Sequence, residues 1–135
     1  MGNISILDFD ATAGAEAGAP LKMCNPDGTE TPLTLFVLGD DSDVVQKYIN
    51  KVVRADNAQA AVAKKAGREV EFDLAKVNEK NVCSAAARVT GWEGVDETFD
   101  PELLKKALRR NGHWVESIIA YAGNRANFTK TPSKT

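Results

Sequence analysis

The sequence predicts an α+β fold: a small N-terminal antiparallel β-sheet, built as a hairpin, packed on a C-terminal layer of three to four α-helices. Three observations carry this expectation. Two apolar runs, Leu21 to Cys24 and Leu33 to Leu38, flank the turn-forming segment Asn25-Pro26-Asp27-Gly28-Thr29. Apolar residues then recur at helical spacing over most of the remaining chain. Strong helix start and stop signals punctuate the last third.

The hairpin follows from turn chemistry. Pro26 presets one turn dihedral and Gly28 supplies a positive one, so the connection closes with five to eight residues. Pro32 cannot donate to a ladder and belongs at the strand start or on an edge. Ahead of the hairpin, Ile4 to Asp10 alternate apolar and polar, a weak strand signal. Ala11 to Pro20, rich in Ala, Gly and Thr, reads as a mobile loop.

After the hairpin, Gly39-Asp40-Asp41-Ser42-Asp43 ends a strand and opens a helix, capped by Ser42 or Asp43 with Gln46 at capping-box spacing. Val45, Tyr48, Ile49, Val52 and Val53 form one face, and Gly67 stops the helix. A further helix is expected from about Val70 to Val89, with Leu74, Val77, Val82, Ala85, Ala86 and Val89 as its stripe. Gly91 and Gly94 bracket Trp92 and break it. Asp100-Pro101-Glu102 is a capped start with proline in the first turn, and Lys105, Lys106, Arg109 and Arg110 load the opposite end as the helix dipole favours. Asn111-Gly112 closes that helix. The last one, His113 to about Gly123, sets Trp114, Ile118, Tyr121 and Ala122 on one face. Residues 1–135 are expected to form a single domain, with 124–135 a flexible polar tail apart from Phe128.

Composition narrows the function. A chain of 135 residues with 43% apolar and 27% charged residues suits one globular domain that buries roughly two thirds of its unfolded surface. A net charge of −2 is no footprint for nucleic acid or an anionic membrane. The apolar runs are too short to span a bilayer, and the N-terminus has no basic segment ahead of an apolar core. Cys24 and Cys83 are expected as buried free thiols in a reducing cytosol.

Candidate chemistry is sparse. One histidine and two separated cysteines offer no metal cluster. The acidic run from Asp40 lacks the alternating ligands and closing glutamate of a calcium loop, and a helix cap explains it better. Ala13 to Gly18 lacks the lysine and serine of a phosphate loop, so no cofactor is expected. His113 with Cys83 or Asp100 could be drawn as base and nucleophile, but no orienting group accompanies them. Trp92, between Gly91 and Gly94, reads as core. Trp114 reads equally as core or as a docking anchor, with Ile118, Tyr121 and Phe128 beside it.

The order of these features resembles the tail assembly chaperones of long-tailed bacteriophages. The likeness runs from the Asp8-Phe9 segment through the Ala/Gly-rich stretch to Leu21-Lys22-Met23-Cys24-Asn25-Pro26-Asp27-Gly28-Thr29-Glu30, which is similar to the family's hairpin. It continues through Val37-Leu38-Gly39-Asp40-Asp41-Ser42-Asp43 and Val89-Thr90-Gly91-Trp92-Glu93-Gly94-Val95, then Phe99, the Pro101-Glu102 helix start, Trp114 and Gly123 to Phe128. A short acidic Asp96-Glu97-Thr98 stands where relatives often carry a longer glycine-containing turn. The resemblance implies a late, non-enzymatic chaperone of the host cytoplasm. It would keep the tape-measure protein soluble, help tail tube protein polymerise around it, and be absent from the finished virion. It also implies a short form, or a domain shared with a longer product of programmed ribosomal frameshifting. Self-association is expected through a sheet edge near Pro32 or the apolar helix faces. The rival reading is a structural head-tail connector or tail-completion protein, which would persist in the virion.

Overall fold

The computed structural model describes residues 5–10, 12–68 and 73–129. Strand β1 (Ala19–Cys24) and strand β2 (Glu30–Val37) pair antiparallel around the turn, and β3 (Val89–Glu93) adds to the far side of β2. The helices are α1 (Thr12–Ala17), α2 (Asp43–Lys65), α3 (Leu74–Ala87), α4 (Pro101–Arg110) and α5 (Gly112–Gly123). The α+β expectation holds: the β1–β2 hairpin lies in the N-terminal part of the chain, and β3 joins it from between α3 and α4.

The hairpin closes as its residues dictate. The Gly28 amide donates to the Asn25 carbonyl, Asn25 donates back to Thr29, and Gly28 has φ +90°. Asp27 accepts from the amide and hydroxyl of Thr29, which lowers its carboxyl below the usual range. Within β2, Leu33, Leu35 and Val37 point into the core while Pro32, Thr34 and Phe36 face away, the period of two that a half-covered strand requires. Pro32 lies on the central strand, not on an edge. It sits where the β1–β2 register slips between Lys22 and Cys24, and before the pairing to β3 begins at Thr34, so no partner strand needs its missing amide.

Trp92 was expected in a break between helices; the segment from Val89 is instead a strand. Leu35 pairs with Trp92 and Phe36 with Gly91, so a partner far away in sequence converts a glycine-interrupted stretch into sheet. Gly94 (φ +94°) follows the strand, and a β-carbon there would stand 1.8 Å from the Pro32 carbonyl oxygen. The Trp92 indole N–H donates to the Glu97 carbonyl at 2.8 Å, and its ring meets Phe99 edge-on at 5.0 Å between centroids.

One face of the sheet rests on α3, α4 and α5. Met23, Leu33, Leu35 and Val37 meet Val82, Ala85, Val89, Leu104, Leu108, Val115, Ile118 and Ala122 in a continuous core. Helix α4 starts as its sequence says, with the Asp100 carboxylate accepting from the Glu102 amide and Pro101 in the first turn. Ser42 caps α2, but Gln46 makes no capping box; its side chain donates to the Asp40 carbonyl. Gly67 at φ +69° ends α2, with its amide on Lys64 and the Arg68 amide on Ala63, the paired bonds of a Schellman turn.

Other expectations need correction. Helix α3 is capped by Asp73 and stops at Ala87; the proposed start at Val70 lies outside the described residues. The N-terminal alternation makes no strand. Ile6–Asp8 is a single 3₁₀ turn, because Ser5 and Asp8 form a reciprocal capping box and no strand lies alongside to pair. The Ala/Gly-rich stretch is helix α1, not a loop. Its small residues let it lie flat against Gly39 and Phe128, with Ala15 buried and its carbonyl accepting from the Gly39 amide. The C-terminal stretch also folds: Arg125–Phe128 is a 3₁₀ turn, Phe128 is buried against α1, and its ring packs edge-on against Tyr121. The expected tail from 130 onward lies outside the described residues.

Candidate functional site

The C-terminal aromatics, read as a possible docking face, fold inward. Ile118 is in the core, and Phe128 is buried. Trp114 is half-buried against that core, and its indole N–H donates to the Cys24 carbonyl at 2.7 Å. His113 Nε2 lies 2.9 Å from the same oxygen. Tyr121 donates to the Pro20 carbonyl at 2.9 Å, and burial raises its hydroxyl pKa. Helix α5 is therefore held along β1, with Ile118 and Phe128 buried and Trp114 and Tyr121 half-exposed at its edge. The physical reason is the hairpin. Its outer strand leaves carbonyls at Pro20 and Cys24 that β2 does not use, and the polar tips of α5 satisfy them.

The drawn nucleophile and base are not assembled. His113 points at Cys24, Asp100 caps α4, and the Cys83 thiol lies 3.7 Å from a Glu79 oxygen. Both thiols are free and half-buried. Among the described residues no group of three or more His, Cys, Asp or Glu is placed to hold a metal ion, and no helix is long and apolar enough to cross a membrane.

Two hollows remain. A small one of about 250 Å³ is ringed by Asp40, Asp41, Gln46 and Arg125. Its polar groups satisfy one another. Buried Arg88 donates to Asp40 at 2.7 Å and to the Ser84 hydroxyl and carbonyl at 2.6 and 2.8 Å. Arg125 grips Asp41 through two bonds and holds its carboxyl below the usual range.

The larger is an open groove of about 1710 Å³ between α2 and α3. Among the described residues, helix α2 fully buries only Val45 and Ala63; Tyr48, Ile49 and Val52 are half-buried and Val53 and Val62 are exposed. Tyr48, Ile49, Val52, Val53 and Val62 line one wall, and Val77 and Cys83 the other. Val53 and Val62 are 49% and 59% exposed, and Leu74 at the head of α3 is 61% exposed. The Tyr48 hydroxyl is raised in pKa by burial first and by the Cys83 thiol next. A single rung crosses the groove, Lys80 to Asp56 at 2.7 Å. Glu79 turns outward to a two-pronged bond with Arg109, which lowers its pKa and raises that of the arginine.

No family model, curated protein or solved structure matches this chain. The site is therefore defined by its own geometry: a long helix held away from the body, with an apolar wall and a cationic lip at Arg68 and Lys76. Sequence reading placed Val45, Tyr48, Ile49, Val52 and Val53 on one face of this helix without assigning what covers it. Their arrangement hinted at an uncovered part, since Val44, Val45, Tyr48, Ile49, Val52 and Val53 span more of the helix circumference than one packing partner covers.

Proposed function

We propose that this chain is a non-enzymatic tail assembly chaperone of a long-tailed bacteriophage, which binds the tape-measure protein and assists polymerisation of the tail tube around it. The ordered motifs from Leu21 to Glu30, Val37 to Asp43 and Val89 to Val95 support the reading. The single structural observation that supports it best is the uncovered α2–α3 groove. An elongated helical client exposes apolar stripes until a tube encloses it. Shielding such stripes calls for an apolar trough that takes a helix reversibly, and many weak contacts repeated over several copies suit the task. The α2–α3 groove thus offers a larger apolar surface to a client than the half-exposed Trp114 and Tyr121 of α5.

Co-expression with the tape-measure protein encoded beside it, followed by affinity capture, tests the assignment. The wild type should hold the tape measure in solution. The double variant Val53→Asp/Val62→Asp should melt at the wild-type temperature but lose capture. Equal capture by both would remove the groove from the mechanism. Mass spectrometry of purified virions separates the rival class, because a chaperone is absent from particles and a connector or completion protein is present in them.

A further inference from the structure

A second uncovered apolar surface lies at the other end of the chain. Ile6, Leu7 and Phe9 are 80%, 85% and 73% exposed, an unusual concentration for three large side chains within four residues. They are not on a random coil. The Ser5–Asp8 capping box closes one turn, and Asp10 then caps the start of α1, accepting from the Thr12 amide at 3.0 Å and from its hydroxyl. The result is a short, pre-shaped arm that holds Ile6, Leu7 and Phe9 outward, with Asp8 and Asp10 on either side of the phenylalanine.

We propose that this arm docks in the α2–α3 groove of a second copy of the same chain. Chemistry on both sides fits. The arm offers two aliphatic side chains and one phenyl ring, and the groove offers an apolar wall of Ile49, Val52, Val53, Val62 and Val77. The arm carries Asp8, which accepts from the Ser5 amide, and Asp10, whose pKa is lowered by the hydrogen bonds from Thr12. At the groove lip, Arg68 and Lys76 form no ion pair among the described residues and stand with Asp73, which caps α3, whereas Lys80 and Glu79 are already engaged with Asp56 and Arg109. The cationic lip therefore meets an anionic arm. Helix α1 ties the arm to the body through Gly39 and Phe128, so the arm extends from a fixed base and loses little freedom on docking. The contact joins two different patches, so a pair of copies can exchange arms reciprocally, and longer chains of copies use the same contact. This self-recognition stands whether or not the groove also serves a tape measure.

The decisive experiment is complementation between two defective variants, read by light scattering coupled to size exclusion. The arm variant is Ile6→Ser/Leu7→Ser/Phe9→Ser, and the groove variant is Val53→Asp/Val62→Asp. All five positions are exposed in the monomer, so both should melt as the wild type does. The wild type should self-associate, and each variant alone should weaken association by at least about tenfold. Mixed together they should form a heterodimer, because one retains an intact groove and the other an intact arm. A fluorescent peptide of residues 5–10 should bind the arm variant but not the groove variant. A monomeric wild type at its solubility limit would overturn the proposal. So would an associating wild type whose two variants fail to complement, or an arm variant that associates as strongly as the wild type.

Discussion

Replacing Gly94 with alanine separates two effects that glycine usually combines. The residue adopts φ +94°, where an L side chain costs about 1–2 kcal/mol. A β-carbon would also stand 1.8 Å from the Pro32 carbonyl oxygen, against an ordinary contact of 3.4 Å or more. That neighbour is backbone within the β2 bulge, so the strand and the loop after β3 must part by about 1.5 Å. The movement pulls on the Trp92 indole bond to Glu97, which contributes about 1 kcal/mol. The expected loss is about 3 kcal/mol, or a fall in melting temperature of about 10 °C for a chain of this size. Gly28→Ala is the control. Its φ is +90°, but nothing lies within 4 Å of the added carbon, so only the dihedral cost of about 1 kcal/mol applies. Differential scanning calorimetry of both variants reads the difference. Equal melting temperatures would refute the claim that close backbone approach, rather than the dihedral alone, fixes glycine at 94.

Three further outcomes follow from the same geometry. Trp114→Phe keeps most of the ring packing but removes one donor to the Cys24 carbonyl, which His113 still serves; urea titration should show a loss of about 1 kcal/mol, and Trp114→Ala a loss of roughly 3–5 kcal/mol. Arg88→Met leaves the half-exposed Asp40 carboxylate without its partner and should cost about 2–4 kcal/mol by the same assay; an unchanged midpoint would show that the ion pair contributes nothing net. Asp41 and Glu79 both have carboxyl pKa values lowered, chiefly by bonds to Arg125 and Arg109, so the folded state holds their charge more readily than the unfolded one. Their contribution is present at neutral pH and is lost as pH falls below about 4; melting temperature followed from neutral to acid should drop across that range, less steeply in Glu79→Gln.

What the sequence made legible was local. The hairpin turn, the Ser42 cap, the Asp100-Pro101 start and the Gly67 stop each depend on residues within four positions of one another, and each stands where its chemistry put it. Strand β3 was invisible for the opposite reason. Two glycines in or beside five residues discourage sheet, and only pairing with Leu35 and Phe36 overrides them. Helix α1 likewise exists because alanines and Gly14 allow close approach to Phe128 and Gly39, which no local pattern reveals. The groove was hidden by degeneracy. An apolar stripe looks the same whether the chain covers it or leaves it open, so the helical spacing that ends at Val53 does not tell a covered face from an exposed one. The inward turn of Trp114 was half legible: a tryptophan wants an acceptor for its N–H, but only the fold names the Cys24 carbonyl.

The hydrogen bond from the Leu38 amide to the Arg88 carbonyl, 2.7 Å long, closes a ring in the chain. Helices α2 and α3 depart from one end of neighbouring strands and return to it; the last turns of α3 pack on the sheet through Val82, Ala85 and Ala86, and the part of the excursion beyond the Asp56–Lys80 rung lies outside that core. Its reach is then a free variable. Matched deletions of whole turns beyond the Asp56–Lys80 rung would shorten the trough without touching the core, and matched additions would lengthen it. The molecule resembles a tool with an exchangeable blade, in which one length can be changed to suit what is gripped while the handle stays the same.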